Sequence, residues 1–341
     1  MSTVFITDTS MRDGSHSVSH QYTSDDVRKV AVALDQAGID IIEVSHGDGL
    51  GGSSINYGFS AESELDLISA AAQAVKKARV AVLLVPGIAT LDVLEDAHRR
   101  GATVVRVATH VTEADVSEEY IKAAKKMGMF VVGFLMMAHM VDSDKLVEQA
   151  LVMESYGADV VYVTDSAGAL LPDEVYERVA ALKKALHVPI GHHAHDNLGC
   201  AIANSLAAVK AGATYLDGSL GGMGAGAGNS ATEILVAALK KSSVEVSADL
   251  FKTIDAAEKI LIPLIVGKGK ALPRRDSSSL IMGYAGVYSS FMLHAQKGAE
   301  RFGVDVRDVL IELGRRKAVG GQEDWIIQVA SDLAKASGKA V

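Results

Sequence analysis

The stretch GHHAHDNLG, residues 191–199, holds three of the chain's eleven histidines within four positions. It follows LHVPI, a short apolar approach that reads as the start of a strand. Side chains two apart on a strand share a face, so His193 and His195 point together while His192 points away. Two neutral imidazoles side by side can bind a divalent cation. His192 is expected to pack, or to be hydrogen-bonded, between the sheet and a helix. A hard oxygen ligand is the natural complement to the pair, and Asp13, in DTSMRDGSH (8–16), supplies one. Two imidazoles and one carboxylate leave open positions on an octahedral ion, where a substrate can chelate through two oxygens. That facial set serves several chemistries, oxygenases included, so the ligands alone name no reaction.

Such a site requires elements that bring residue 13 to residues 193 and 195. Five segments share one grammar, a helix-ending glycine and then a β-branched run: residues 37–45, 100–109, 127–136, 156–165 and 211–220. Three more apolar runs, VFITD near the start, RVAVLLVP at 79–86 and VPIGHHAH at 188–195, bring the count to eight. Helical patterns such as DDVRKVAVALDQ and DEVYERVAALKKAL separate them. Eight strands alternating with helices predict an α/β fold, a (β/α)8 TIM barrel. A doubly wound open sheet is the alternative, but no glycine-rich phosphate turn follows the first strand. In a closed barrel, strand one lies two places from strand seven, near enough for Asp13 to meet the histidines. Polar residues cluster at the C-terminal ends of six of the strands, where barrel chemistry sits.

After about residue 245 the grammar changes to helices, including a long pattern over residues 278–303. The expected division is a catalytic barrel over 1–245 and a helical C-terminal extension over 246–341. The extension is expected to cover the barrel mouth, contact a partner, or both. Composition agrees with a large aliphatic core: 49% of residues are hydrophobic but only 5% aromatic. A net charge of −9 with short, scattered basic clusters argues against a nucleic acid partner. The single cysteine, Cys200, permits no intrachain disulfide and reads as a small packed residue. MSTVFITDTSMRDG carries no charged-then-apolar leader pattern, and no apolar run approaches the roughly 18–20 residues that span a bilayer. A cytoplasmic protein with no membrane association is the expectation.

DTSMRDGSH together with GHHAHDNLG resembles the metal-dependent aldolase and acyl-transfer barrels related to hydroxymethylglutaryl-CoA lyase and isopropylmalate synthase. Longer stretches, among them VRVATHVTEADVS, GFLMMAHM, GMGAGAGN, GYAGVYSSF and VGGQED, resemble one branch of that group, the 4-hydroxy-2-oxovalerate aldolases. The resemblance implies cleavage of 4-hydroxy-2-oxopentanoate, or a longer 4-hydroxy-2-oxoacid, to pyruvate and an aldehyde in aromatic or steroid catabolism. It implies Mn²⁺ as the metal, with Co²⁺, Fe²⁺, Zn²⁺ or Mg²⁺ as substitutes. Asp13, His193 and His195 become its ligands. His16 stands where the synthases and the lyase carry glutamine. An imidazole titrates near neutrality and can take a hydroxyl proton, so the resemblance makes His16 the base. Arg12 is the candidate for holding the enolate's negative charge.

The same resemblance assigns substrate binding to Ser166, in TDSAG, and to Arg12, Asp13 and His193. It adds a tyrosine from GYAGVYSSF, carried to Tyr288, with Tyr284 one helical turn away as the alternative on a shared face. It implies a complex with an acylating acetaldehyde dehydrogenase that receives the aldehyde. The glycine-rich GGMGAGAGN either binds phosphate through its N–H groups or, the preferred reading, lets a loop approach the metal closely. Asp196 departs from the branch's usual histidine, and GKGKALPRRDSS (267–278) matches it least well. Rival functions are an acyl-CoA-dependent carbon–carbon lyase or synthase on the same barrel, a metal-dependent hydrolase, and a non-catalytic partner of the dehydrogenase.

Overall fold

A computed structural model describes residues 3–288, 291–319 and 322–337. GYAGVYSSF and VGGQED therefore lie partly outside the described residues. Eight parallel strands close into one barrel in sequence order, β1 to β8. They are β1 (Phe5–Met11), β2 (Ile41–Val44), β3 (Arg79–Leu84), β4 (Val104–His110), β5 (Phe130–Met136), β6 (Val160–Asp165), β7 (Ile190–Ala194) and β8 (Tyr215–Gly218). Closure comes from β1 pairing with β8, Phe5 opposite Tyr215 and Asp8 opposite Gly218.

Helices α1 (Ser24–Ala37), α2 (Glu64–Ala74), α3 (Leu91–Arg99), α4 (Glu118–Lys126), α5 (Ser143–Tyr156), α6 (Pro172–Ala185), α7 (Ala201–Ala211) and α8 (Thr232–Lys241) follow the strands in turn. Their start and stop signals are local. Thr23 caps α1 by accepting the Asp26 N–H, and Gly38 ends it at φ 82°. The apolar faces of strands and helices meet in one core that runs around the barrel wall.

The barrel interior is layered. At the N-terminal end Phe5 stacks on Tyr215 at 4.9 Å and Arg79 lies 4.6 Å over the Phe130 ring, plugging the floor. Above them Ile41, Val104, Val132 and Val160 form an apolar layer. The upper interior is charged.

The expected boundary at 245 falls before a helical run that shares the barrel's core. This run is α9 (Leu250–Asp255), a π-helical turn over Ala256–Leu261 and α10 (Ile262–Gly267). Ala256, Ala257, Leu261 and Ile265 are buried with the barrel core, whereas a separate apolar core begins at Met282. That second core joins α11 (Ser277–Ala285), α12 (Met292–Phe302), α13 (Val306–Arg315) and α14 (Asp324–Ala336). The intervening segment is pinned to the barrel, by Lys268 on Asp26 at 2.7 Å and by Arg275 on Asp196.

The long helix expected over 278–303 is broken. Gly286 sits at φ 66°, a left-handed conformation that ends α11 after Ala285. Tyr284 remains on the helix, 75% exposed, while Tyr288 lies beyond the turn, so the two share no helical face. Among the described residues no helix is long and apolar enough to cross a membrane.

Candidate active site

β1 delivers Met11 to the barrel rim, and a 3-10 helix over Asp13–Val18 turns Asp13 back over the opening. β7 presents His193 on its inner face, and His195 follows just past the strand end. The Asp13 Oδ2 atom lies 3.3 Å from His193 Nε2 and 3.4 Å from His195 Nε2. All three side chains are at most 7% exposed. Alternation along β7 turns His192 outward, where its Nδ1 is 3.0 Å from the Val163 carbonyl and burial takes its pKa down to about 4.

The supporting hydrogen bonds test whether this set suits a cation. His193 Nδ1 donates to Asp217 Oδ2 at 2.7 Å, and His195 Nδ1 donates to the Asp165 carbonyl at 3.1 Å. With both Nδ1 protons directed away, both Nε2 lone pairs converge on the Asp13 carboxylate. Three acceptors facing one point is the donor set that a divalent metal requires, with each imidazole oriented from behind. Burial alone raises the Asp13 carboxyl pKa. When protons rather than a metal occupy the Nε2 atoms, the charges of Arg12 and His195 and the imidazole hydrogen bonds outweigh it and hold that carboxyl well below the usual range. For His193 burial lowers the pKa, but Asp13 and Asp217 together raise it above the ordinary imidazole value. A proton and a metal therefore compete for one lone pair.

Beneath the histidines runs a closed circuit of buried charge. Asp217 pairs with Arg106, Arg106 NH1 donates to Glu43 Oε2 at 2.9 Å, and Arg12 Nε donates to the same oxygen at 2.8 Å. Arg12 NH1 then returns to Asp13 Oδ2 at 3.5 Å. The Arg106 guanidinium also lies 4.4 Å over Phe134 and 4.9 Å over Tyr162. Isolated charges at this depth would be prohibitive, so each is paired. Glu43, Arg106 and Asp217 escaped the reading of motifs. Their signal was a single charged residue inside an otherwise apolar strand: IIEV, VVRVATH and YLDG.

Arg12, Asp13, His16, Ser166, His193, His195 and Tyr288 all line one cavity of about 950 Å³. Arg12 NH2 is buried and has no partner among the described residues, so one directed donor is left for a ligand. The Ser166 Oγ atom accepts the Met137 N–H at 3.1 Å, which leaves its own proton free. His16 faces the cavity with Gly47 against its ring; a Cβ at Gly47 would stand 2.6 Å from His16 Nε2. Tyr288 reaches in from the extension and its hydroxyl donates to Met136 Sδ at 3.3 Å. Burial pushes that phenol's pKa up, so it is a neutral donor. Tyr284 does not line the cavity. In the glycine-rich loop, the Ala225 N–H donates to Asp13 Oδ1 at 3.2 Å and Asn229 Nδ2 to Oδ2 at 3.0 Å. The loop thus lies directly against the Asp13 carboxylate. Asp196 accepts the Ala201 N–H at 3.1 Å and holds Arg275.

Residues 3–260 match the HMGL-like family model, and residues 273–335 match the DmpG-like communication domain. The chain is 58% identical over 332 residues to a 4-hydroxy-2-oxovalerate aldolase of Carboxydothermus hydrogenoformans, covering 97% of this chain and 98% of that one. It is 56% identical to a 4-hydroxy-2-oxovalerate aldolase of Geobacillus thermodenitrificans, covering 97% and 96%. Among solved structures, the carboxyl transferase domain of Rhizobium etli pyruvate carboxylase superposes with TM-score 0.79 at 18% identity, over 98% of this chain and 60% of that one. The HMG-CoA lyase of Bacillus subtilis superposes with TM-score 0.67 at 22% identity, over 80% and 96%. At those identities the two superpositions speak for the fold alone.

Proposed function

We propose, on the premise that the chain belongs to the HMGL-like family and within it to the 4-hydroxy-2-oxovalerate aldolases, that it cleaves 4-hydroxy-2-oxopentanoate to pyruvate and acetaldehyde. A longer 4-hydroxy-2-oxoacid, giving pyruvate and the corresponding aldehyde, is the alternative substrate. The observation that carries the reading is the convergence of Asp13 Oδ2 with the two Nε2 atoms at 3.3 and 3.4 Å. Asp13, His193 and His195 would hold the metal, which when bound supplies Lewis-acid polarisation of the substrate ketone. Mn²⁺ is the proposed native ion, and Co²⁺, Fe²⁺, Zn²⁺ or Mg²⁺ suit the same donors.

His16 takes the proton from the C4 hydroxyl, the C3–C4 bond breaks, and its electron pair passes to the pyruvate enolate as acetaldehyde leaves. The unpaired NH2 of Arg12 donates to the enolate oxygen where charge develops. Ser166 Oγ–H and the Tyr288 hydroxyl donate to substrate oxygens, and Tyr288 with its helices closes the cavity against water. The buried circuit through Glu43, Arg106 and Asp217 keeps Arg12 and His193 from swinging away.

An acyl-CoA-dependent reaction on this barrel is disfavoured by His16, since the base replaces the glutamine found in those relatives. A cytoplasmic catabolic enzyme of aromatic or steroid breakdown is the setting proposed. Its partner is an acylating acetaldehyde dehydrogenase, and residues 273–335, matching the communication domain, support that pairing. The direct test couples pyruvate release from 4-hydroxy-2-oxopentanoate to lactate dehydrogenase. Activity lost to EDTA and restored by Mn²⁺ is the expected result; product formation that requires acetyl-CoA would overturn it.

A further inference from the structure

The cavity contains a second set of metal-type donors that the reaction above does not use as a set. A ring nitrogen of His16, a ring nitrogen of His20 and a carboxylate oxygen of Asp48 lie within 4.8 Å of one another. They come from the loops after β1 and β2. Beyond the 3-10 helix that carries His16, Ser19 and His20 both adopt left-handed backbone, at φ 54° and 61°. Few side chains occupy that region, and two in succession double the chain back on itself. The His20 N–H then donates to the Ser15 carbonyl at 2.8 Å. Its ring comes edge-on to His16, with centroids 5.0 Å apart. On its other side His46 stacks at 3.7 Å, and the Asp48 N–H donates to His46 Nδ1 at 3.1 Å. The strained turn and the stack thus fix His20 and bring Asp48 alongside.

The chemistry of these groups suits a cation. His20 is 7% exposed, and its ring is held between those of His16 and His46. Asp48 is 19% exposed and opens onto the cavity, which gives an ion a direct approach. Two imidazoles and a carboxylate bind Zn²⁺, Ni²⁺ and Cu²⁺ more tightly than Mn²⁺. The support behind this set is thinner than behind the first: His20 Nδ1 rests 3.1 Å from the Ser15 hydroxyl.

We propose that His16, His20 and Asp48 form a second, inhibitory site for a late transition metal ion such as Zn²⁺. An ion there occupies the lone pair that His16 needs to accept the hydroxyl proton. The inhibitory half rests on the reading of His16 as the base; the site itself does not.

The test uses the full chain loaded with Mn²⁺ and then titrated with Zn²⁺. Two anomalous peaks at the zinc edge are expected in wild-type crystals soaked in zinc. One should lie among Asp13, His193 and His195, and one among His16, His20 and Asp48. Equilibrium dialysis should give two bound zinc ions per chain in wild type and one in Asp48→Asn and in His20→Gln. Both variants should keep Mn²⁺-dependent turnover, and the zinc concentration that halves it should rise about tenfold or more, as loss of a ligand implies. Inhibition of both variants at the same zinc concentration as wild type would place the effect at the first site and overturn the proposal. A single wild-type peak at the Asp13 set also overturns it, and that outcome needs no variant to fold. A peak at the second set alone would instead sink the functional reading and leave this site standing.

Discussion

Two sets of donors share the cavity and consist of the same three side chains, two histidines and an aspartate. Asp13, His193 and His195 stand at the ends of β1 and β7, and both imidazoles are oriented from behind by Asp217 and by the Asp165 carbonyl. His16 stands on the same 3-10 turn as Asp13, His20 and Asp48 stand on loops, and His16 packs against the bare backbone of Gly47. Residue type is therefore not what separates the proposed metal site from the proposed base. The separation comes from how each imidazole is held. A strand-borne ring with its Nδ1 proton committed can only present a lone pair inward. The His16 ring instead lies edge-on to His20 and faces the cavity.

The sharpest way to break this contrast is to remove a strand-borne ligand. His193→Ala deletes one Nε2 and leaves Asp13 and Asp217 without the ring between them. Aldol cleavage should fall by about 10³-fold or more, because Lewis-acid stabilisation of several kcal/mol is lost at 1.36 kcal/mol per tenfold. Bound Mn²⁺ measured by atomic emission should fall with it. Turnover that survives with full metal content would mean the metal is held elsewhere.

The loop-borne set answers to a different substitution. His16→Ala should lower aldol cleavage by roughly 10²–10⁴-fold, the span of a lost general base. Mn²⁺-dependent decarboxylation of oxaloacetate forms the same enolate with no hydroxyl to deprotonate, so it should stay within a few fold of wild type. Both rates are read on one preparation by the lactate dehydrogenase assay. Equal loss of the two would make His16 a structural residue and erase the distinction drawn above.

Between these lies the layer behind the ligands. Asp217→Asn removes the charge shared by Arg106 and His193, and metal affinity should drop about 10–100-fold. The pH dependence supplies the sign. In wild type, Asp13 and Asp217 raise the His193 pKa against burial, so metal affinity is full above that pKa and is lost as pH falls through it. With Asp217 neutral the His193 pKa falls, and the loss should begin at lower pH even though the plateau affinity is weaker. Isothermal titration with Mn²⁺ across pH 6–8, a range that brackets the ordinary imidazole pKa, reads both effects. An unchanged midpoint would mean that Asp217 does not act through the ring.

How much of this was legible follows from the same contrast. The barrel was readable because each unit repeats a local grammar: capping residues, a left-handed glycine such as Gly38 or Gly157, then a buried β-branched run. The H-x-H pair was readable because a strand's period of two puts His193 and His195 on one face. Glu43, Arg106 and Asp217 sit 63 and 111 residues apart in the chain and become partners only when the barrel closes. Their roles are long-range, so no spacing announces them. The break of the expected helix at Gly286 was hidden for another reason. Glycine within a helical pattern is tolerated or terminating according to its surroundings, and here His139 Nε2 lies 3.0 Å from the Gly286 carbonyl and holds the turn. The grouping of α9 and α10 with the barrel also depends on tertiary burial, at Leu261 and Ile265, which an amphipathic pattern does not assign to one neighbour or another.

That broken helix supports the smallest prediction. If the two tyrosines shared a helical face, phenylalanine at either would perturb the site alike. Because Gly286 turns the chain, Tyr288 rather than Tyr284 enters the cavity, and among the described residues its hydroxyl meets only the weak acceptor Met136 Sδ. Substrate oxygen is a better acceptor for a phenol that burial keeps protonated. Tyr288→Phe should therefore lose one hydrogen bond, about 0.5–1.5 kcal/mol, and kcat/KM should fall by up to about tenfold. Tyr284→Phe, at an exposed position, should leave kcat/KM unchanged. The pair of variants keeps both rings and hence the packing of α11, so a difference between them reports the hydroxyl in the cavity. Equal values for the two would place the Tyr288 hydroxyl outside the reacting complex and leave its ring as a wall of the cavity.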